Sequence, residues 1–439
     1  MEKVRDQLKV QAERAVLVGV ILKRKHKTNS DDVLGELTAL AESAGAVVVD
    51  RFIQKMSRPN TATYIGSGKA KMLAERVENK EADVVIFDND LSPAQIRELE
   101  KIVECKVLDR SELILDIFAT RARTHQAKLQ VELAQLEYTY PRLTRMWSHL
   151  DTVAGAAGAG GVGAVGGIGT RGTGEKQLEI DRRLVNKRIT ELKRNIVAID
   201  KRKMREIDGR SDFYTVSLVG YTNAGKSTLM NALTDAGVFV QDQLFATLDT
   251  RTRKWQVDSG VEVLLSDTVG FVSKLPHHLV ASFKATLEET VNADLLLHVV
   301  DASSVDVFEQ IKSVDTVLKE LKCHKKETLI LLNKSDCIAD KATFESVQTV
   351  FPDALIISAK TGMNLDQLTQ QIAEKVSGRS VRVRVTLSHA DGKLQSYLHT
   401  VGSELEEKYI DNSVQIEVTL GKNQLAHLQR LGAKQIETL

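Results

Sequence analysis

The sequence has few of the features that mark membrane-bound, secreted or zinc-binding proteins. Its 439 residues include only three cysteines, Cys105, Cys323 and Cys337, with no CxxC or CxxxH spacing. This argues against a zinc site or a disulfide scaffold and favours a reducing compartment. Apolar runs such as Ala15–Leu22 and Leu295–Val300 are far shorter than the ~18 residues of a membrane-spanning helix. The charged N-terminal residues also lack the apolar segment of a secretion signal, so we expect a cytoplasmic protein without stable membrane insertion.

The chain carries almost no net charge, but the charge is unevenly distributed. Its formal charge is +1, and its 42% hydrophobic and 27% charged residues are typical of globular proteins. A chain of this length is expected to form two to four domains. Residues 121–210 contain 18 Lys and Arg against 10 Asp and Glu, a local charge of +8 in a chain that is −7 elsewhere. Such a segment suits a surface that faces a polyanion, and a solvated helical face explains the charge equally well.

Residues 1–120 alternate short apolar runs with segments of helical period. Ala15–Leu22 predicts a buried strand, while Ser92 and Pro93 predict the N-cap and the first position of a helix. Repeated strand–helix units of this length favour a small α/β domain with a parallel sheet. The stretch Tyr64–Lys69 lacks the first glycine of a phosphate loop, so we interpret it as a tight turn that opens a helix.

Residues 121–210 predict two long helices that pair along their length. Apolar residues recur there at alternating spacings of four and three, which gives each helix one apolar seam. Between the seams, ten of the twenty residues 155–174 are glycine. We expect an antiparallel hairpin with a mobile Gly-rich tip, and a plain linker is the alternative. The seams comprise Leu129, Leu133, Leu136, Tyr140, Leu143, Trp147 and Leu150, then Val185, Ile189, Leu192, Ile196 and Ile199.

Strand–helix alternation returns on a larger scale in residues 211–378. Runs such as Leu295–Val300 are apolar on both faces, as central parallel strands are. In residues 379–439, two strictly alternating runs begin at Val381 and Val414 and predict half-covered strands, each followed by a helix. We therefore expect a larger parallel α/β domain followed by a small C-terminal α+β domain.

A phosphate-loop motif follows a predicted strand and precedes a helix. Gly220–Ser227 reads Gly-Tyr-Thr-Asn-Ala-Gly-Lys-Ser and matches GxxxxGK[ST]. The glycines let the backbone wrap around phosphates with its N–H groups inward, and the helix N-terminus adds its positive dipole end. Lys226 is expected to bridge the β- and γ-phosphates, and the Ser227 hydroxyl to ligate Mg²⁺. The sequence therefore predicts a nucleoside triphosphate site.

Two further motifs predict that the base is guanine. Asn333-Lys-Ser-Asp336 follows an apolar run and matches NKxD. The Asp336 carboxylate can accept hydrogen bonds from N1–H and the exocyclic amine of guanine, and adenine offers no matching pair of donors. The Lys334 stem is expected to lie over the ring, and Asn333 to tie this loop to the phosphate loop. Ser358–Lys360 resembles the SAK element, whose backbone N–H meets the guanine carbonyl oxygen.

Elements that sense the terminal phosphate lie between these motifs. Asp267-Thr-Val-Gly270 resembles DxxG, in which Asp267 holds Mg²⁺ through water and the Gly270 N–H meets the γ-phosphate. That contact exists only with a triphosphate, so hydrolysis is expected to release the following segment. Thr247 is preferred over Thr250 and Thr252 as the switch I threonine that contacts Mg²⁺ and the γ-phosphate. Together the motifs predict a GTP-driven switch.

Two positions bear on turnover. Phe271 follows Gly270, where Ras-like enzymes carry the glutamine that orients water. An apolar side chain does not position a nucleophile, so we expect slow hydrolysis alone and assign no catalytic residue. Asn223 matches the asparagine with which potassium-dependent GTPases hold a monovalent cation, so K⁺ is a second candidate cofactor beside Mg²⁺.

The motifs place residues 211–378 in the class of Ras-like P-loop G domains, with GTP and GDP as ligands. Ser227, Thr247 and Asp267 are the candidate Mg²⁺ contacts, the last through water. The predicted GTP site comprises Gly220, Tyr221, Thr222, Asn223, Ala224, Gly225, Lys226, Ser227, Thr228, Phe245, Thr247, Asp267, Gly270, Asn333, Lys334, Asp336, Ser358, Ala359 and Lys360.

The combination of parts resembles one family of ribosome-associated GTPases, the HflX family. It consists of an α/β domain, a hairpin with the tip Gly166-Gly-Ile-Gly-Thr-Arg-Gly-Thr-Gly-Glu-Lys, and a G domain with Gly220-Tyr-Thr-Asn-Ala-Gly-Lys-Ser-Thr and Asp267-Thr-Val-Gly-Phe. The likeness covers nearly all of residues 14–420, and the C-terminal domain is its least diagnostic part.

The resemblance implies a GTPase that binds the large ribosomal subunit and its RNA in the GTP state and helps to separate stalled or idle ribosomes into subunits. Hydrolysis is then expected to be stimulated by ribosomes, and the protein to act as a monomer. Two alternatives share these motifs: a GTPase that assists assembly of the large subunit, and a nucleotide-gated adaptor for RNA or protein with little turnover.

Overall fold

The structure is a computed structural model, and it divides into two compact units. The first contains the described residues up to Ile199 together with Phe245, and the second contains the other described residues. Among them, no helix has the length and apolar character needed to cross a bilayer. The structure describes residues 13–22, 32–156, 173–208, 213–234, 245, 250–258, 261–273, 288–338, 340–378, 380–389, 391–410, 413–433 and 435–439.

The first unit begins with a four-stranded parallel sheet in the order β2-β1-β3-β4. Its inner strands are buried on both faces, which explains their nearly continuous apolar sequences. The sheet and its helices confirm the predicted N-terminal parallel α/β fold. The elements are β1 (Arg14–Leu22), α1 (Gly35–Ser43), β2 (Val47–Met56), α2 (Ser67–Asn79), β3 (Val84–Phe87), α3 (Pro93–Val103), β4 (Lys106–Asp109) and α4 (Arg110–Arg121).

Two helix starts in this sheet domain follow from local sequence. Ser92 caps α3 by accepting a hydrogen bond from the Gln95 N–H, the Gln95 side chain bonds back to the Ser92 N–H, and Pro93 is the first helical residue. Tyr64 has φ +61° in a turn closed by backbone hydrogen bonds with Asn60, and α2 begins three residues later. Both predictions are confirmed.

Helices α5 (His125–Ala156) and α6 (Thr173–Asp208) pack along one apolar seam. Leu129 and Leu133 of α5 form a buried cluster with Leu192 and Ile196 of α6, as the four-three spacing predicts. Burying each of these side chains contributes about 1.5–3 kcal/mol. The seam is flanked by ion pairs from Arg188 to Glu132 and from Lys193 to Glu137. The side chains of Leu143, Trp147 and Leu150 and the residues 157–172 of the Gly-rich tip lie outside the described part.

The second unit contains a six-stranded sheet in the order β10-β9-β8-β5-β7-β6, with only β6 antiparallel to its neighbour. Central β5 lies between β7 and β8, so the loops that follow these strands meet at one edge. The elements are β5 (Tyr214–Gly220), α7 (Lys226–Thr234), β6 (Arg251–Asp258), β7 (Val261–Asp267), α8 (Glu288–Asn292), β8 (Leu295–Asp301), α9 (Val307–Glu320), β9 (Thr328–Asn333), a 3₁₀ turn (Ser335–Cys337), α10 (Lys341–Val350), β10 (Leu355–Ile356) and α11 (Leu365–Ser377).

A second sheet of this unit is antiparallel, with the order β12-β13-β11-β14. Strand β13 alternates half-buried and buried residues, because one of its faces packs on the core and the other does not. This confirms the C-terminal α+β fold and, with the parallel sheets, the predicted α/β multidomain class. The elements are β11 (Ser380–Ser388), α12 (Gly392–Val401), β12 (Ser403–Ile410), β13 (Ser413–Gly421), α13 (Lys422–Arg430) and β14 (Gln435–Thr438).

Candidate nucleotide-binding site

The phosphate loop joins β5 to α7 at the carboxyl edge of the six-stranded sheet. Two of its glycines are required by geometry. Gly220 has φ +152°, and a Cβ there would lie 2.2 Å from the carbonyl oxygen of Val299. Gly225 has φ +94°, and a Cβ there would lie 2.3 Å from Asn333 Nδ2. Only a residue without a side chain lets the loop pass this close to its neighbours.

Lys226, Ser227 and Thr228 form the first turn of α7. Lys226 is buried, and its Nζ donates to the carbonyl oxygens of Gly220 at 3.1 Å and Tyr221 at 2.8 Å. Burial lowers the pKa of its ammonium group to about 8, while the Asp267 carboxylate opposes the shift. The group is therefore charged at neutral pH and held inside the loop, where it can meet phosphate oxygens.

Ser227 and Asp267 bring two oxygen donors together beside this lysine. The Ser227 hydroxyl donates to Asp267 Oδ2 at 2.6 Å. Asp267 ends β7 and is fully buried, and the neighbouring Thr268 hydroxyl fixes that strand end by donating to the Leu218 carbonyl oxygen. Hydroxyl and carboxylate oxygens are the ligands that Mg²⁺ prefers. The donor set therefore fits the cation that the sequence implies.

The segment that follows Asp267 lies directly on the phosphate loop. The Phe271 N–H donates to the Gly220 carbonyl oxygen at 3.1 Å, and the Thr222 N–H donates to the Phe271 carbonyl oxygen at 2.6 Å. Phe271 itself is buried, with 2% of its surface exposed. An apolar ring packed in this way does not orient water, which fits the expectation of slow unaided turnover.

Asn333 links the two halves of the predicted nucleotide site. It ends β9 and is 2% exposed. Its Nδ2 donates to the Ala224 carbonyl oxygen at 2.8 Å, and its Oδ1 accepts from the Ala359 N–H at 2.9 Å. One side chain thus joins the phosphate loop to the SAK loop, the contact expected of the NKxD asparagine.

Asp336 is exposed and held by its neighbours. Its Oδ1 accepts from the buried Ser358 hydroxyl at 2.7 Å, and its Oδ2 lies 3.3 Å from Cys337 Sγ. The Ser358 hydrogen bond is the main cause of a lowered Asp336 pKa, followed by the Cys337 contact, with exposed Lys360 adding a smaller attraction. The carboxylate is therefore ionised at neutral pH and acts only as an acceptor, as recognition of guanine donors requires.

Two partners in this site were not anticipated from sequence. Lys334 adopts a left-handed backbone, φ +62°, and its Nζ lies 2.7 Å from Asp301 Oδ2 at the end of β8. In the sequence, Asp301 stands out only as an acidic residue at the end of an apolar run, which does not identify Lys334 as its partner. No sequence motif predicts the contact between the Cys337 thiol and Asp336.

Switch I is described only in part. Phe245, predicted to flank the nucleotide, belongs to the first unit and has φ +56°; its ring meets Phe118 edge-on, with centroids 4.7 Å apart. Thr247 lies outside the described residues, so its predicted role stays a prediction. Of its two alternatives, Thr250 is half-buried, and the Thr252 hydroxyl donates to Glu289 Oε2 at 2.8 Å.

His298, in the middle of β8, makes folding sensitive to acid. It is 2% exposed, and burial, together with the nearby Lys226 charge, lowers its pKa to about 4 from the usual 6.5. Between these values the unfolded chain binds a proton that the folded chain excludes, so stability falls as the pH drops below 6.5. From pH 6.5 to pH 5 we expect this histidine to remove about 2 kcal/mol from the free energy of unfolding.

Urea denaturation of the wild type and His298→Leu at pH 7.5, 6.5 and 5 measures this contribution. Between pH 6.5 and pH 5, the free energy of unfolding of the wild type should fall by about 2 kcal/mol more than that of the variant. Parallel stability curves for the two proteins would contradict the assignment.

Three family models match consecutive parts of the chain. They are described as GTP-binding GTPase N-terminal, GTP-binding GTPase middle region and 50S ribosome-binding GTPase, and they match residues 31–119, 121–210 and 215–334. Among solved structures, a GTP-binding protein from Sulfolobus solfataricus in complex with GDP is 24% identical, with a TM-score of 0.42 over 82% of this chain and 98% of that chain.

Curated relatives match almost the full length. The chain is 43% identical over 413 residues to GTPase HflX of Escherichia coli, covering 93% of both chains. It is 40% identical over 419 residues to GTPase HflX of Magnetococcus marinus, covering 95% of this chain and 94% of the relative. The resemblance carried by the sequence motifs is thereby confirmed: the chain belongs to the HflX family of GTPases, and it is a GTP-hydrolysing enzyme.

Proposed function

We propose that this GTPase acts in the cytoplasm as a monomer that binds the large ribosomal subunit in its GTP state and promotes separation of ribosomes into subunits. The observation that carries the proposal is the similarity to an HflX protein over 93% of the chain, combined with a 50S ribosome-binding GTPase match over residues 215–334. The basic outer surface of α6 and the buried Phe271 support it.

The roles of the nucleotide-site residues follow from their chemistry. The phosphate-loop N–H groups and Lys226 bind the phosphates, and ionised Asp336 selects guanine. Ser227, Thr247 and, through water, Asp267 are the residues that would hold Mg²⁺, which would offset the negative charge of the phosphate oxygens. Gly270 senses the γ-phosphate, so the segment after it changes position on hydrolysis. The remaining members of the predicted GTP site that belong to the second unit are proposed to line these groups.

Helix α6 offers a surface suited to RNA. Between residues 182 and 202 it carries eight Lys and Arg against two acidic residues. Its apolar seam faces α5, and most of these cations are exposed, so their charge is presented outward. RNA phosphates attract such a surface with an affinity that falls as salt rises. This favours a ribosomal partner over a purely protein partner.

GTP turnover tests the proposal. We expect intact ribosomes to raise the rate at least tenfold, because Phe271 leaves the enzyme without its own water-positioning group. Lys226→Ala should show no stimulation. A rate unchanged by ribosomes would contradict ribosome-coupled function, and a preference for immature particles would instead favour an assembly role. GTP binding without hydrolysis under any condition would favour the alternative function, a nucleotide-gated adaptor for RNA or protein.

Potassium is proposed as a second cofactor. Asn223 has φ +60° and is exposed at the tip of the phosphate loop, where its side-chain oxygen is available to a cation. A cation held near the phosphates stabilises the negative charge that develops in the transition state. We expect turnover to be about tenfold faster in KCl than in NaCl at equal ionic strength, and Asn223→Ala to abolish the difference. Equal rates of the wild type in both salts would exclude this role.

A further inference from the structure

The backbone after β7 continues to pair with the chain beyond the end of β5. The regular β5–β7 ladder ends at the pair Leu218–Asp267. Farther along, Tyr221 and Phe271 form a separate parallel bridge, made by the two hydrogen bonds that Phe271 exchanges with Gly220 and Thr222. The DxxG segment and the phosphate loop are therefore joined by their backbones.

A side-chain hydrogen bond extends the contact between these two segments beyond Phe271. The Ser273 N–H donates to the phenol oxygen of Tyr221 at 2.6 Å. Tyr221 is half-buried, whereas Phe271 at the near attachment and Val272 between the two attachments are buried. The phenol thus holds the far end of segment 270–273, while the backbone bridge holds its near end. We call this pair of attachments the Tyr221 latch.

The latch places Gly270 against the phosphate loop. A Cβ on Gly270 would lie 2.7 Å from Thr222 Cα and 3.1 Å from Lys226 Nζ. The Gly270 N–H and the Lys226 ammonium are the groups expected to hold opposite sides of the γ-phosphate. A Gly270 backbone this close to Thr222 and to the Lys226 ammonium crowds the place where a γ-phosphate would accept hydrogen bonds from Gly270 and Lys226. The latched arrangement therefore disfavours a bound triphosphate.

We propose that Tyr221 determines the preference between guanosine diphosphate and triphosphate by stabilising this closed arrangement. GTP binds only after the hydrogen bond from Ser273 to Tyr221 and those between Phe271 and the phosphate loop have broken. Breaking them costs free energy, which lowers the net affinity for GTP. GDP lacks the γ-phosphate and leaves the latch closed. A ligand shifts such an equilibrium by its differential affinity for the two states. The effect of Tyr221 rests on the proposed role of Gly270 at the γ-phosphate and does not require ribosomes.

Dissociation constants for fluorescent GDP and a non-hydrolysable GTP analogue test the proposal. Tyr221→Phe keeps the ring but removes the oxygen that accepts the Ser273 N–H. We expect it to bind the GTP analogue about two- to tenfold more tightly, with less than about a twofold change for GDP. Tyr214→Phe, the same change at the start of the same strand, is the matched control and should shift neither. Equal shifts for both nucleotides, or none, would overturn the proposal.

Hydrogen exchange of the wild type provides a test that needs no variant. The amides of Thr222, Phe271 and Ser273 donate the three latch bonds. They should exchange slowly in the GDP complex and faster in the complex with the GTP analogue, because opening exposes them. Equal protection of all three amides in both complexes would contradict a nucleotide-dependent latch.

Discussion

Asp336→Asn should abolish the preference for guanine. The wild-type carboxylate is ionised, exposed and oriented by Ser358, and its proposed role is to accept hydrogen bonds from the two guanine donors. An amide replaces one acceptor by an N–H donor that faces a guanine donor, so one hydrogen bond is lost and the other loses its charge assistance. We expect GTP and GDP affinity to fall by about 10²–10⁴. Xanthosine nucleotides should gain, because their 2-oxo group accepts from the new amide.

The matched control is Asp340→Asn, four residues along the chain. Asp340 caps α10 by accepting from the Ala342 and Thr343 N–H groups, and Asn is also a good N-cap. This variant should keep the wild-type affinity for guanine nucleotides in the same titration. If Asp336→Asn retained full selectivity for GTP over ATP and XTP, the base would be read by other residues.

Gly225→Ala should eliminate binding of all nucleotides, whatever their base. The added methyl group would meet Asn333 Nδ2 at 2.3 Å and is placed on a backbone with φ +94°. Relief requires movement of the loop or of Asn333, which would break the hydrogen bond to Ala224 and misplace the N–H groups that are proposed to bind the phosphates. We expect the affinity for GDP and GTP to fall at least hundredfold by isothermal titration.

Gly432→Ala is the control for Gly225→Ala, because it introduces backbone strain without a steric clash. Gly432 has a similar φ of +103°, but no atom lies within 4 Å of the position of its Cβ. The substitution imposes the same conformational penalty in the C-terminal sheet domain without crowding a neighbour. It should lower thermal stability slightly and leave nucleotide affinity unchanged. Wild-type affinity in Gly225→Ala would show that the phosphate loop tolerates a side chain there.

Much of the fold and the order of the site motifs could be predicted from sequence, because these features depend on local patterns. Apolar runs buried on both faces indicate parallel strands, and strand ends in parallel sheets meet at one edge. The Gly220–Ser227 loop, Asp267 and Asn333 all end or follow such strands. Their proximity therefore follows from topology. The helix start at Ser92 and the Leu129–Ile196 seam depend on equally local signals.

Contacts between residues far apart in sequence were not predictable in this way. The Tyr221–Ser273 bond joins residues 52 positions apart, and Lys334 pairs with Asp301 across adjacent strands. Neither pair carries a periodic or motif signal. The edge-on contact between Phe245 and Phe118 carries no such signal either, and the predicted nucleotide contact of Phe245 stays a prediction. Packing partners of this kind are set by the tertiary structure.

The most direct measurement is light scattering of intact ribosomes mixed with the protein and GTP, GDP or no nucleotide. Ribosome separation lowers the scattered intensity. We expect a rapid fall with wild-type protein and GTP, no fall with GDP, and no fall with Lys226→Ala in either nucleotide. Equal separation with GDP and GTP, or separation by Lys226→Ala, would contradict the claim that the terminal phosphate of GTP drives this protein's action on ribosomes.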